Sequence, residues 1–283
     1  MMNERYLEGT THTLRVATGP DAGPPLLLLH GVCRRWQDFL PLVPALAPRW
    51  EVHALDFRGH GSSDRRPDQY RVVDYVEDAI TALHATADPA VLYGHSLGAL
   101  VAAAVAAAEP ERVLAVVLED PPSANLLRNI RQSPFHAQFV GMQKLAGRKN
   151  AVAQTARDLA DIQLPTGNGK PVRLGDLRDA VSLRFLARCL EQLDSAVLTP
   201  VIEGRLLDGY DVEKTMRAVR CPALVLRADE ARGGMLGRAE AETWAGWMAD
   251  CVLMDFPGTG HLLHGVATEA VLRAVVPFLE SIR

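Results

Sequence analysis

Cysteine is scarce: Cys33, Cys189, Cys221 and Cys251 are the only four, and none falls in a C-x-x-C pair. That spacing excludes a disulfide framework and a zinc site of paired thiolates, so the four read as small buried hydrophobes or free thiols. A dominant charge is missing too. Against 34 Asp and Glu stand 30 Lys and Arg, a net charge of −4, and that balance gives no electrostatic footprint for nucleic acid. No apolar run can span a bilayer; the longest, residues 97–108, is short and made of small side chains. Met1-Met2-Asn3-Glu4-Arg5 leads into polar sequence with no secretory core. The expected location is therefore cytoplasmic. Internal repeats and low-complexity tracts are absent, and no residue cluster has metal-ligand spacing.

What the chain does have is apolar residues, 48% of a 283-residue length. This is enough for one sizeable α/β core with an insertion. Residues 5–8 and 12–17 read as a hairpin about a turn at 9–11. The apolar run at 25–29 predicts a strand buried on both faces of a parallel sheet, those at 91–93 and 113–119 predict further buried strands, and 51–55 reads as the strand between. Residues 36–46 and 72–87 carry apolar side chains at helical spacing, and 97–108 is Ala-rich nearly all round. From 123 to about 219 the pattern is helical with no convincing strand, broken mainly at 159–171. Alternation then resumes, with strands at 223–227 and 252–256 and helices at 238–248 and 268–282. The rhythm predicts an α/β fold: a mostly parallel sheet flanked by helices, formed by residues 1–122 and 220–283, with a helical cap at 123–219.

The organising stretch is Gly94-His95-Ser96-Leu97-Gly98, set between an apolar strand and the Ala-rich helix. A serine at the tip of such a turn presents its hydroxyl, and the free N–H groups of the following helix point toward it. The Leu97 N–H is then one donor for an oxyanion formed beside Ser96. A serine needs a base, and imidazole suits that task near neutral pH. His261 lies in the Gly-rich loop after the last expected strand, at the carboxyl edge where ligands gather in such sheets. His264, three residues on, is its nearest rival and is expected to pack beneath the loop or start the last helix.

Four stretches together, Leu28-Leu29-His30-Gly31, Asp56-Phe57-Arg58-Gly59-His60-Gly61-Ser62-Ser63, the Ser96 pentapeptide and Gly258-Thr259-Gly260-His261, give a chain that resembles an α/β-hydrolase with a cap domain. The resemblance implies a serine hydrolase that cleaves a carboxylic ester or related acyl compound through an acyl-enzyme on Ser96. It assigns the base to His261 and the second oxyanion donor to the N–H of Val32, with Cys33 as the alternative. His30, Gly31, Cys33 and His95 fall where a substrate pocket is expected; His30 and His60 are expected to bond backbone. The acid is where the chain departs from the pattern. The usual loop reads Gly-(Glu or Asp)-x-Asp, but here Ala228-Asp229-Glu230-Ala231 puts alanine at the last position. Asp229 is the first choice, with Glu230 and Asp120 as alternatives.

Ser96 argues against the epoxide hydrolases and haloalkane dehalogenases of this fold, which use a carboxylate nucleophile. A lactonase, a carbon–carbon bond hydrolase, a perhydrolase or a hydrolase-like small-molecule receptor stays open. No cofactor or metal is expected, the partner is a small acyl substrate, and the sequence does not fix the oligomeric state. Arg128, Arg131, Arg148, Arg184 and Arg188 in the insert read as helix surface. An arginine facing the pocket would indicate an anionic substrate.

Overall fold

The computed structural model describes residues 2–166 and 169–282. Gly167 and Asn168, within the expected chain break at 159–171, lie outside the described residues. Among the described residues ten strands run in chain order: β1 (Asn3–Glu8), β2 (Thr13–Thr18), β3 (Pro25–Leu29), β4 (Glu51–Asp56), β5 (Ala90–His95), β6 (Val113–Glu119), β7 (Gln163–Leu164), β8 (Val172–Arg173), β9 (Ala223–Ala228) and β10 (Cys251–Phe256). Eight form one sheet in the order β1-β2-β4-β3-β5-β6-β9-β10. The β1–β2 hairpin joins antiparallel at one edge, and from β4 to β10 every pairing is parallel.

Burial on both faces explains why the central strands are unbroken apolar runs. Along β3, Leu27 and Leu29 face the core layer that holds helices Val72–His84 and Leu97–Ala108. Leu26 and Leu28 face the opposite layer with Phe39, Val271 and Val275. The same alternation runs along β5, with Leu92 on one side and Val91 and Tyr93 on the other. Helix Leu97–Ala108 is apolar nearly all round because it packs between the sheet and Val212–Ala218. Residues 36–46 are not one helix. A 3₁₀ turn at Trp36–Phe39 and a short helix at Val43–Leu46 replace it, separated by Pro41 and with Pro44 in the first helical turn.

Between β6 and β9 the chain runs through several helices, including Pro134–Leu145, Val152–Ala160 and Ala180–Glu191. The expectation of no strand there needs correction, because β7 and β8 pair antiparallel as a two-residue ribbon, Gln163 opposite Arg173. So short a ribbon has no periodicity to read. No helix among the described residues is long and apolar enough to cross a membrane. The chain leaves β3 toward β4 on one side and resumes at β5 on the other. The carboxyl ends of β3 and β5 therefore flank a topological switch point, where a crevice opens above an α/β sheet.

Candidate active site

Ser96 occupies that crevice. It sits between β5 and helix Leu97–Ala108 at φ 56° and ψ −117°, with its N–H donating to the Glu119 carbonyl at 2.9 Å. The flanking glycines are required by contact. A Cβ on Gly98 would lie 1.9 Å from the Leu29 carbonyl oxygen, and one on Gly94 would lie 2.1 Å from the Gly98 oxygen. Four described non-glycine residues have positive φ, and three of them, Cys33, Ser96 and Asp120, surround this crevice. Such strain costs about 1–3 kcal/mol per residue and collects where geometry serves function.

His261 lines the same cavity as Ser96. Its Nδ1 lies 2.6 Å from Oδ2 of Asp120, a fully buried carboxylate just past β6. Asp120 is itself fixed by the β9 loop, since Oδ1 accepts from the Ala228 N–H at 3.1 Å and Oδ2 from the Met235 N–H at 2.9 Å. The expectation that Asp229 would meet the histidine is not met by the geometry. Asp229 Oδ1 caps the short 3₁₀ turn through the Ala231 N–H, and Oδ2 accepts from the Gly258 N–H at 2.8 Å. It anchors the backbone of the His261 loop, not the imidazole. Those backbone bonds also hold its carboxyl below the usual range. Glu230 is exposed, 3.5 Å from Arg227.

The N–H groups of Val32 and Leu97 have no acceptor among the described residues. The Cys33 N–H is committed to His60 Nε2 at 3.2 Å, which removes it as a free donor. Of the expected pocket residues, Gly31 and His95 line the cavity. His30 and Cys33 do not. His30 is fully buried, its Nδ1 donating to the Gly31 carbonyl and its Nε2 accepting the Phe57 N–H. Cys33 turns its side chain into the core, where burial pushes the thiol pKa up. His60 donates to the Arg58 carbonyl, as a loop-fixing residue would. His95 donates from Nε2 to the His261 carbonyl at 3.0 Å, and burial drives its pKa down to about 3, so the ring stays neutral.

A second charged cluster lies beneath, and it was missed in the sequence. His264 places Nδ1 2.9 Å from Glu119, with Asp38 on its other side at 3.4 Å, all three buried. Burial alone would lower the His264 pKa, but these carboxylates raise it, and His264 in turn lowers Glu119 against the same penalty. Tyr93 also donates to Glu119, and Arg34 Nε to Asp38 at 3.1 Å. The adjacent acids Glu119 and Asp120 at a strand end were the available signal.

The cavity above Ser96 has a volume of about 80 Å³. Its floor includes Gly31, Val32 and Met235, and its roof comes from the insert, with Phe139, Met142, Leu183 and Leu186. Two arginines enter it, Arg34 and Arg178. The five insert arginines marked in the sequence are all exposed and none lines it.

Sheet order and the strained serine turn between β5 and the helix that follows are those of the α/β-hydrolase fold. The family model for the alpha/beta hydrolase fold matches residues 24–157. It is 26% identical to 2-(acetamidomethylene)succinate hydrolase of Mesorhizobium japonicum, over 92% of this chain and 89% of that protein. It is 28% identical to the sn-1-specific diacylglycerol lipase of Xenopus laevis, over 98% of this chain and 88% of that one. The crystal structure of E-2-(acetamidomethylene)succinate hydrolase superposes with a TM-score of 0.80 at 24% identity, covering 99% of this chain and 100% of that chain.

Proposed function

We propose that the protein is a serine hydrolase of a carboxylic ester or related acyl compound, with Ser96 as nucleophile, His261 as base and Asp120 as acid. The observation that carries this reading is the 2.6 Å contact of His261 with Asp120 on the wall that also presents Ser96. With Nδ1 turned to the carboxylate, the imidazole keeps Nε2 for the serine proton. Ser96 Oγ attacks the carbonyl carbon as Nε2 takes that proton, and the N–H groups of Val32 and Leu97 receive the oxyanion. Collapse expels the leaving group, which takes the proton back from Nε2. Water, deprotonated by the same nitrogen, then releases the acid and restores the serine.

The insert acts as a lid in this account, supported by the apolar side chains it lays over Ser96. The small cavity favours a short acyl group over a long fatty chain. Its relatives' names span an acetamidomethylene compound and a diacylglycerol, so the bond cleaved is to be read from a panel of short esters, lactones and amides. The nucleophile is tested with a fluorophosphonate probe. Wild type is expected to be labelled and to lose turnover on labelling, and Ser96→Ala to be neither labelled nor active while unfolding normally. Equal labelling of both would remove Ser96 from the mechanism. Tight ligand binding without turnover of any panel member would favour a receptor.

A further inference from the structure

Among the described residues, Arg178 is the one charged side chain that the insert places in a roof otherwise made of apolar residues, Gln138 and Ser182. It lies between helices Leu174–Leu177 and Ala180–Glu191 and lines the cavity with Ser96. Its backbone is fixed on both sides, by its own N–H bonding the Leu174 carbonyl at 3.1 Å and by Asp179 capping the next helix. Its guanidinium has no hydrogen-bond or ion-pair partner among the described residues. Asp179 is adjacent, but its carboxylate is used by the N–H groups of Val181 and Ser182 and by the Ser182 hydroxyl. Burial pushes the Arg178 pKa down, the field of Arg34, a second cation lining the cavity, adds to this, and Asp179 opposes it. Arg34 gives Nε to Asp38 and has its two terminal nitrogens uncommitted. No acidic side chain is among the described residues lining the cavity.

A partly desolvated guanidinium facing another cation is unfavourable unless an anion joins them. The planar fork suits a carboxylate, which it can bind through two parallel hydrogen bonds. We propose that Arg178, with Arg34 beside it, binds a free carboxylate on the substrate, so that the compound hydrolysed is a short acyl derivative carrying a second, unesterified acid group. This rests on the serine-hydrolase reading for the scissile bond, but the anion site can be tested apart from it.

The experiment compares charged and neutral esters of matched size. With the charge on the acyl side, the pair is p-nitrophenyl hemisuccinate and p-nitrophenyl valerate. With the charge on the leaving side, it is 4-acetoxybenzoate and phenyl acetate. In wild type the charged member of one pair is expected to have the higher kcat/KM, and that pair reports the side on which the carboxylate lies. Arg178→Gln should lower kcat/KM for that charged ester about 100-fold, as loss of one partner of a desolvated charge pair does, collapsing the ratio within the pair. Arg178→Lys should restore part of it. The Tm of unliganded Arg178→Gln should equal or exceed that of wild type, because a repelling charge is removed and no bond is lost.

A second readout needs no turnover. Monomethyl succinate should raise the Tm of Ser96→Ala, dimethyl succinate should do so far less, and Ser96→Ala/Arg178→Gln should lose the difference. If neither pair shows a preference sensitive to Arg178 and the monoester gives no Arg178-dependent shift, the anion site is wrong, whatever Ser96 does. If the shift is present but the fluorophosphonate labels Ser96→Ala as well as wild type, the anion site stands and the nucleophile assignment fails.

Discussion

Glu119 and Asp120 are neighbours in the chain, and each holds a different histidine. Glu119, the last residue of β6, turns under the sheet edge to His264, while Asp120, at φ 39°, reaches His261 beside the cavity. Strand alternation sends adjacent side chains to opposite faces, so a single strand end supplies one carboxylate to the packing beneath the site and another to the site itself. The unusual φ of Asp120 costs strain but lets Oδ2 meet both the Met235 N–H and the imidazole.

The lower pair predicts a pH-dependent stability term. Glu119 is ionised below its ordinary range and His264 stays protonated above its own, because each is buried against the other. A lowered carboxylate stabilises the fold above its unfolded pKa and loses that effect as pH falls through the folded value. A raised imidazole stabilises below its unfolded pKa and loses the effect as pH rises through the folded value. Both contributions are therefore complete between about pH 4.3 and 6.5. Glu119→Gln, which leaves the buried imidazolium only the more distant carboxylate of Asp38, should cost up to ~3–5 kcal/mol there. Denaturant unfolding at pH 6 and pH 9 checks this. The deficit relative to wild type should shrink at pH 9, and an equal deficit at both values would show that the pair is not ionised as described.

The serine turn makes a steric prediction. In Gly98→Ala the new methyl would fall 1.9 Å from the Leu29 carbonyl oxygen, a backbone atom held within the sheet. Thermal unfolding should show a loss of at least ~1–3 kcal/mol, the usual scale of overpacking, together with lost activity. Gly246→Ala is the control. It lies in helix Arg238–Trp247 with nothing within 4 Å of the added carbon, and alanine should stabilise by up to ~1 kcal/mol. Equal Tm values for the two variants would mean that the close approach of turn and sheet is not as drawn.

Much of the architecture was readable because buried parallel strands leave continuous apolar runs, as at 25–29 and 113–119, and because Ser96 and His261 sit in glycine-marked turns. The hidden parts depend on contacts far apart in sequence. Asp120 precedes Pro121 and Pro122, a pattern that fits a turn cap as well as an acid, while Asp229 stands in the familiar loop. Only the fold shows that the Ala228 and Met235 N–H groups grip the first and that Gly258 occupies the second. Arg178 escaped notice because nothing local distinguishes an inward arginine from the exposed Arg184 or Arg188. The two-residue strands β7 and β8 are too short for any periodic signal.

Parallel measurement of kcat for Asp120→Asn and Asp229→Asn decides which carboxylate is the acid. Once the panel has supplied a working ester, both variants would be assayed on it after thermal unfolding has confirmed their folds. Asp120→Asn should reduce kcat by ~10⁴, the typical cost of losing the carboxylate that sets the tautomer and stabilises the imidazolium. Asp229→Asn removes one acceptor from a solvent-facing backbone anchor and should change kcat less than about tenfold. The reverse pattern, near-normal turnover in Asp120→Asn with collapse in Asp229→Asn, would contradict the account.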